Sequence, residues 1–251
     1  MANWDYFKKD RYYSEKLRDR LESGVVMRSA NALAQYLIKH AKERPLSIAD
    51  FGAGPGHYVT AFKELGCNIR RYHGVDFDFD NIKFGNDYFS DDQSIEFSCL
   101  DITKDIGIAL KGADTVISAN TLPHIPCVES FFTQVASANN VRLVVCRMLI
   151  GSECIQIKKH LSNTDFSNLF LKDYQHNNVY SLDYLAQFFS SLEWDISVEN
   201  DIQDWSLKDA APIAEDVKNE FYSNRVSRSV GDMTFKGDVF MPWRFFIAKR
   251  K

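Results

Sequence analysis

Gly52, Gly54 and Gly56 stand at alternate positions in the stretch SIADFGAGPGHYVTAF, directly after Asp50. Glycine at that density suits a tight turn where a backbone comes close to a ligand, because no Cβ intervenes. The residues before the turn are an apolar run and those after it have helical spacing, so the turn joins a buried strand to a helix. Backbone N–H groups in such a turn, and the helix N-terminus beyond it, favour negative charge. A nicotinamide-binding turn reads G-x-G-x-x-G; here the third glycine comes one residue early, and Pro55 constrains the turn. Three further groups could do chemistry. His124 lies in ISANTLPHI, a few residues past an apolar run. Its unperturbed pKa of about 6.5 suits a general base, and a structural or substrate-positioning role is the alternative. Arg147 could clamp a phosphate or carboxylate on an acceptor, or could belong with Glu153, Lys158, Lys159 and His160 to a solvated face. The segment HNNVYS, with Tyr180 in it, offers hydrogen-bonding groups to a sugar-like substrate, while its Ser181 could equally cap a helix starting at Leu182. His57 reads as a pocket wall or a first-turn helix residue, and His73 as structural.

Bringing these groups together requires strands that end side by side. Helical spacing over Arg28 to Lys42 predicts a helix that Pro45 ends. LSIADF, IRRYHGVDF, SIEFSCLD, ADTVISAN and VRLVVCRML read as successive strands. Helical patterns at HYVTAFKEL, Asn81 to Phe89 and Glu129 to Ala138 fall between them. Strands alternating with helices imply an α/β doubly wound fold, its sheet mostly parallel with right-handed crossovers. After Ile150 the rhythm changes. A long irregular stretch leads to a helix at LDYLAQFFSSL and a strand at WDISVEND; a second irregular stretch, with a helix near Ile213 to Tyr222, leads to a closing strand at WRFFIAKRK. The two long stretches read as lid insertions. The expected division is an N-terminal helical cap at 1–45, a cofactor-binding core at 46–150, and lid insertions with closing strands at 151–251.

The sequence DFGAGPG resembles motif I of the class I S-adenosylmethionine-dependent methyltransferases, D/E-x-G-x-G-x-G, and matches it at every specified position. The resemblance covers Ser47 to Cys146 well and the remainder weakly. It implies a Rossmann-like sheet of seven strands with the last one antiparallel, and S-adenosyl-L-methionine as cofactor. Under it, Asp50, Gly52, Gly54 and Gly56 bind the cofactor. Asp76, ending the second strand, would accept the ribose hydroxyls, and Phe77 would offer an apolar face to the adenine. Asp101 would accept the adenine amino group with Ile102 packing on the ring; a helix cap or loop acid is the alternative for Asp101. ISANTLPHI is similar to motif IV of the small-molecule branch and would place Asn120 near the methionine part.

The totals remove several classes. A net charge of −4 and the absence of a broad basic patch argue against a nucleic-acid polymer as substrate. No NPPY-like tetrapeptide follows the fourth strand, where amino-methylating nucleic-acid enzymes carry one. ISAN lacks the acid that catechol-type enzymes use for Mg2+, so no metal is expected. Five cysteines without a C-x-x-C pair, no apolar run long enough for a membrane span and a polar start point to a reduced, cytoplasmic location. The expectation is a methyltransferase for a small-molecule acceptor at a hydroxyl oxygen, on a sugar precursor or secondary metabolite. A nitrogen acceptor, an NAD(P)-dependent dehydrogenase and a non-catalytic cofactor-binding module stay open, as does a homodimer.

Overall fold

The computed structural model describes residues 11–41, 44–104, 106–160, 174–200, 227–230, 233–236, 239–241 and 243–251. Two helices, α1 (Arg11–Glu22) and α2 (Arg28–Ala41), precede the sheet. The core then runs β1 (Leu46–Phe51), α3 (His57–Glu64), β2 (Ile69–Asp76), α4 (Phe79–Tyr88), β3 (Ile95–Cys99), α5 (Gly107–Leu110) and β4 (Thr115–Ala119). A 3-10 turn (Leu122–His124), α6 (Val128–Ser137) and β5 (Leu143–Gly151) follow. Beyond them lie β6 (Ile155–His160), β7 (Tyr174–Ser181), α7 (Leu182–Ser190), β8 (Trp194–Asn200), β9 (Ser227–Val230), β10 (Met233–Lys236), β11 (Val239–Met241) and β12 (Trp243–Arg250).

The main sheet has the order β3-β2-β1-β4-β5-β12-β8. All pairings from β3 to β5 are parallel, and β12 is antiparallel to both β5 and β8. This seven-stranded path, with one reversed strand, is the arrangement the motif resemblance implies. Every residue of β1 is buried, as a central strand covered on both faces must be. The strand order reverses direction at β1, with β2 on one side and β4 on the other, and such a switch point opens a crevice at the strands' carboxyl ends. Two apolar clusters flank the sheet. Adjacent residues divide between them by the period-2 alternation of a strand: Phe246 and Val144 join Phe51, Phe131 and Phe132 on one face, while Phe245 and Val145 join Leu33, Leu37 and Phe62 on the other.

The helix boundaries follow their caps. The expected start of α4 at Asn81 falls two residues late, because the Asp78 carboxylate accepts from the Asp80 and Asn81 N–H groups at 3.0 and 3.3 Å and nucleates the helix at Phe79. Ser181 caps α7, its Oγ accepting from the Tyr184 N–H at 3.0 Å. At the sheet edge, Asn86 occupies the outward backbone of β3: its amide donates to the Phe97 carbonyl and accepts from the Phe97 N–H, both at 3.0 Å. That pairing blunts an edge otherwise open to another strand.

The first expected lid departs from the reading as an irregular stretch. β6 and β7 form an antiparallel hairpin, and β7 joins β5 in parallel at Ile150–Tyr180 and Gly151–Ser181. The alternating polarity of HNNVYS, mixed with asparagines, hid a strand whose partner is twenty residues away. In the second expected lid, β9, β10 and β11 form a separate antiparallel sheet where an irregular stretch was expected. The helix expected near Ile213 to Tyr222 lies outside the described residues. Among the described residues, no helix is long and apolar enough to cross a membrane.

Candidate functional site

The glycine turn bends at the carboxyl end of β1. Gly52, Gly54 and Gly56 have φ of 82°, 55° and 89°, a region in which side chains are strained. Two of the three are also demanded by packing. A Cβ on Gly52 would lie 1.9 Å from Thr121 Oγ1, and one on Gly56 would lie 2.4 Å from Phe97 Cζ. The turn therefore abuts the segment after β4 on one side and the β3 core on the other. Gly52 and Ala53 N–H groups donate to the Val75 carbonyl at 2.8 and 3.1 Å, tying the turn to the end of β2.

Asp76 closes that end of β2. It is buried at 8% exposure, and its carboxylate accepts from the Gly54 N–H at 2.9 Å and the Asp78 N–H at 3.0 Å. Burial pushes its pKa up to about 6, against the pull of backbone N–H groups from Asp78 and Gly54. An ionised carboxylate offers about four lone-pair positions, so acceptor capacity remains for hydroxyl donors. Asp50 faces inward instead. It is 3% exposed, and Oδ2 accepts from the Tyr72 hydroxyl at 2.5 Å. Burial pushes its pKa up to about 7, with the Tyr72 hydrogen bond opposing and the Asp76 charge adding to the rise. Its partner Tyr72 is fully buried and had no signature in the sequence beyond its strand position.

Phe77 is half-buried at the lip after β2. Asp101 closes a local turn: Oδ1 accepts from the Thr103 N–H at 3.0 Å and the Thr103 hydroxyl at 2.7 Å, and Lys104 Nζ lies 3.7 Å from Oδ2. Ile102 is buried in the apolar cluster that holds Phe51 and Val75. Helix α1 covers the turn from outside. Ser14 Oγ donates to Asp78 Oδ2 at 3.1 Å and Arg18 Nε donates to Asn81 Oδ1 at 3.1 Å, with Leu17 packed against Gly54. His57 opens α3; burial, aided by Arg20, pushes its imidazole down to about 3, and its buried Nδ1 has no hydrogen-bond partner among the described residues.

Across the switch point, β4 ends in a backbone outlier. Asn120 has φ 66°, rare for a residue with a side chain. Arg147 on β5 holds it twice: its carbonyl accepts from the Asn120 N–H at 3.1 Å, and its Nη1 donates to Asn120 Oδ1. The Arg147 guanidinium lies 4.2 Å over the Trp243 ring. Next comes the 3-10 turn with His124, whose Nδ1 is 2.6 Å from the His176 carbonyl oxygen. A carbonyl oxygen can only accept, so Nδ1 carries the proton. The neutral ring then keeps its basic lone pair on Nε2. Tyr180, expected against a substrate, is 7% exposed and its hydroxyl donates to the Leu122 carbonyl at 3.4 Å, so it braces this turn from beneath. Asn178 shares that task, its Nδ2 donating to the Ile125 carbonyl at 2.7 Å, and Gln156 Nε2 in turn donates to Asn178 Oδ1 at 3.2 Å. Among the described residues, no three His, Cys, Asp or Glu side chains are grouped so as to hold a metal ion.

A glycine turn, an acid at the end of the neighbouring strand and the segment after β4 meet at one switch point, where doubly wound folds of this Rossmann-like kind place their ligands. Residues 49–138 match the family described as "Methyltransferase domain". No curated protein sequence matches the chain. Among solved structures, the chain is similar to an S-adenosylmethionine-dependent methyltransferase from Clostridium acetobutylicum ATCC 824, at 12% identity and TM-score 0.53, over 98% of each chain. It is also similar to the magnesium protoporphyrin IX methyltransferase ChlM from Synechocystis PCC 6803 with bound SAH, at 12% identity and TM-score 0.51, over 88% of this chain and 82% of that one. A third likeness is the N-terminal domain of EvdMO1 with SAH bound, at 11% identity and TM-score 0.53, over 90% and 82% of the two chains. Residues 49–138 thus carry a methyltransferase-domain match, within a fold shared with S-adenosylmethionine-dependent methyltransferases.

Proposed function

We propose that this methyltransferase acts on a small molecule, at a hydroxyl oxygen, with His124 as general base. The observation that carries the reading is the bond from His124 Nδ1 to the His176 carbonyl at 2.6 Å, which puts the ring proton of the neutral imidazole on Nδ1 and its basic lone pair on Nε2. S-adenosyl-L-methionine, when bound, would supply an electrophilic methyl on its sulfonium. The work of the chain is to hold the partners in line and exclude water, and alignment of that kind is worth as much as about 7–11 kcal/mol in favourable systems. Asp76 would take the ribose hydroxyls, with Gly54 and Asp78 N–H groups keeping its carboxylate in place. The glycine turn, with Gly52, Gly54 and Gly56, would carry the cofactor's nucleoside and methionine portions. Phe77 and Ile102 would flank the adenine, and Asp101 would accept its amino group. Asp50 would act from behind, its carboxyl held by the Tyr72 hydroxyl. Asn120, fixed by Arg147, would meet the methionine end.

The division at 45 and 150 belongs to the same reading: α1 and α2 cap the cofactor core, and the segment from 151 supplies β8 and β12 to its sheet. A net charge of −4 agrees with a small-molecule acceptor rather than a nucleic-acid polymer. A sugar-bearing acceptor accords with one neighbour, the N-terminal domain of EvdMO1, whose structure was obtained in the presence of SAH and D-fucose. The test is incubation with methyl-labelled cofactor and pools of hydroxyl and amine acceptors. The expected product is an O-methyl compound, formed by His124→Gln about 10²–10⁴-fold more slowly. An N-methyl product made at full rate by His124→Gln would overturn the reading.

A further inference from the structure

We propose that β7 is a positioning strand for His124, acting through the buried side chains of Asn178 and Tyr180; this rests on the reading of His124 as general base and deepens it. The side chains of Asn178 and Tyr180 alternate along β7 and so lie on one face of it, and the main-chain carbonyl of His176 meets the same turn. All three bond to the single turn that carries His124. The His176 carbonyl accepts a hydrogen bond from His124 Nδ1 at 2.6 Å, Asn178 Nδ2 donates to the Ile125 carbonyl at 2.7 Å, and the Tyr180 hydroxyl donates to the Leu122 carbonyl at 3.4 Å. The turn is therefore gripped one residue after His124 and two residues before it, while the imidazole itself is pinned between.

The grip is itself held. Gln156, directly opposite Asn178 on β6, donates from Nε2 to Asn178 Oδ1 at 3.2 Å, which turns the Nδ2 end of the amide toward Ile125. Asn178 Nδ2 also reaches the Tyr180 oxygen at 3.3 Å, so that hydroxyl accepts one bond and donates the next. Burial pushes the Tyr180 pKa up and keeps it a donor. Asn178 and Tyr180 are 6% and 7% exposed, which suits a brace rather than a surface for the acceptor. β7 in turn is fastened to β5 at Ile150–Tyr180, on the strand that carries Arg147. In water a neutral imidazole exchanges between two tautomers; held against a fixed carbonyl it keeps the one with its proton on Nδ1. The carbonyl of His176 cannot be removed by substitution, so the two side chains that fix its distance from His124 are the handles.

The experiment is a long-range proton–nitrogen spectrum of the histidines in the full-length chain labelled with 15N-histidine, with His124→Gln identifying the His124 signals. The wild type is expected to show a protonated Nδ1 and an unprotonated Nε2 on His124. Asn178→Asp, which replaces a donor with an acceptor, and Tyr180→Phe should shift both nitrogens toward the averaged tautomers, Asn178→Asp more strongly. Signals of His73 should stay in place, and calorimetric affinity for S-adenosylhomocysteine should stay within about twofold of the wild type, less than ~0.5 kcal/mol. Should either variant fail to fold, Gln156→Ala leaves Asn178 in place and should give a smaller shift of the same sign. A His124 spectrum unchanged in the variants, or changed only together with loss of S-adenosylhomocysteine binding, overturns the proposal. Methyl transfer undiminished in His124→Gln would instead remove the base reading while leaving the tautomer result to stand.

Discussion

The two sides of the switch point are built by different physics. On the β1–β2 side the site is made of backbone: three left-handed glycines, N–H groups on the Val75 carbonyl, and a carboxylate held by two more N–H groups. On the β4–β5–β7 side it is made of side chains that grip carbonyls far away in sequence, Arg147 on Asn120, Asn178 on Ile125, Tyr180 on Leu122. The first kind of construction tolerates almost no change at its own positions and needs little from its surroundings. The second can be varied residue by residue, which fits the acceptor side of the proposed reaction.

The contrast predicts unequal damage. Gly52→Ala should do most, because the new Cβ meets Thr121 and the backbone is left-handed. A cost of about 2–5 kcal/mol is expected from strain and overpacking together, read as a lowered melting temperature with loss of cofactor binding. Arg147→Met on the other side should cost less, about 1–3 kcal/mol from the lost charged hydrogen bond to Asn120. It should weaken S-adenosylhomocysteine binding only a few-fold in calorimetry. An equal loss in the two variants would erase the distinction between the sides.

A smaller effect sharpens the backbone side through pH. Asp50 and Asp76 have folded pKa values raised to about 7 and about 6, above the usual ~3.9 of an unfolded aspartate. The folded state then binds more protons than the unfolded one between those values, so stability falls as pH rises through this window. Their contribution is fully present below about pH 4 and lost above about pH 7. Asp50→Asn, which keeps an acceptor for the Tyr72 hydroxyl, should flatten the decline in melting temperature between pH 5 and pH 8. An unchanged slope would mean that Asp50 titrates as an ordinary carboxylate.

The same contrast governs what could be read from the residues alone. DFGAGPG and GVDF were legible because a left-handed turn and a strand-terminal acid are local requirements, each written within a few residues. The mostly parallel sheet followed from the alternation of apolar runs with helical patterns, and its seven strands with the last one reversed from the resemblance. The roles of Thr121 against Gly52, Phe97 under Gly56 and Tyr72 on Asp50 were not legible, since each contact joins segments twenty or more residues apart. The β6–β7 hairpin was missed for a related reason: its polar strand packs on carbonyls of the His124 turn rather than on an apolar face, so the usual hydrophobic alternation is weak. Tyr180 reads in the sequence as a substrate residue; its burial and its bond to the Leu122 carbonyl are long-range features that composition could not reveal.

The central claim is that Asp76 grips the cofactor's ribose at the exit of β1 and β2. Calorimetry of S-adenosylhomocysteine with the wild type and with Asp76→Asn, at matched folding by thermal melting, tests it most directly. The account predicts binding by the wild type and a loss of about 10–100-fold in the variant, since hydrogen bonds to a charged group are worth ~1.5–3 kcal/mol. Equal affinity in the two proteins, or no uptake by the folded wild type while a nicotinamide dinucleotide binds tightly, would contradict it.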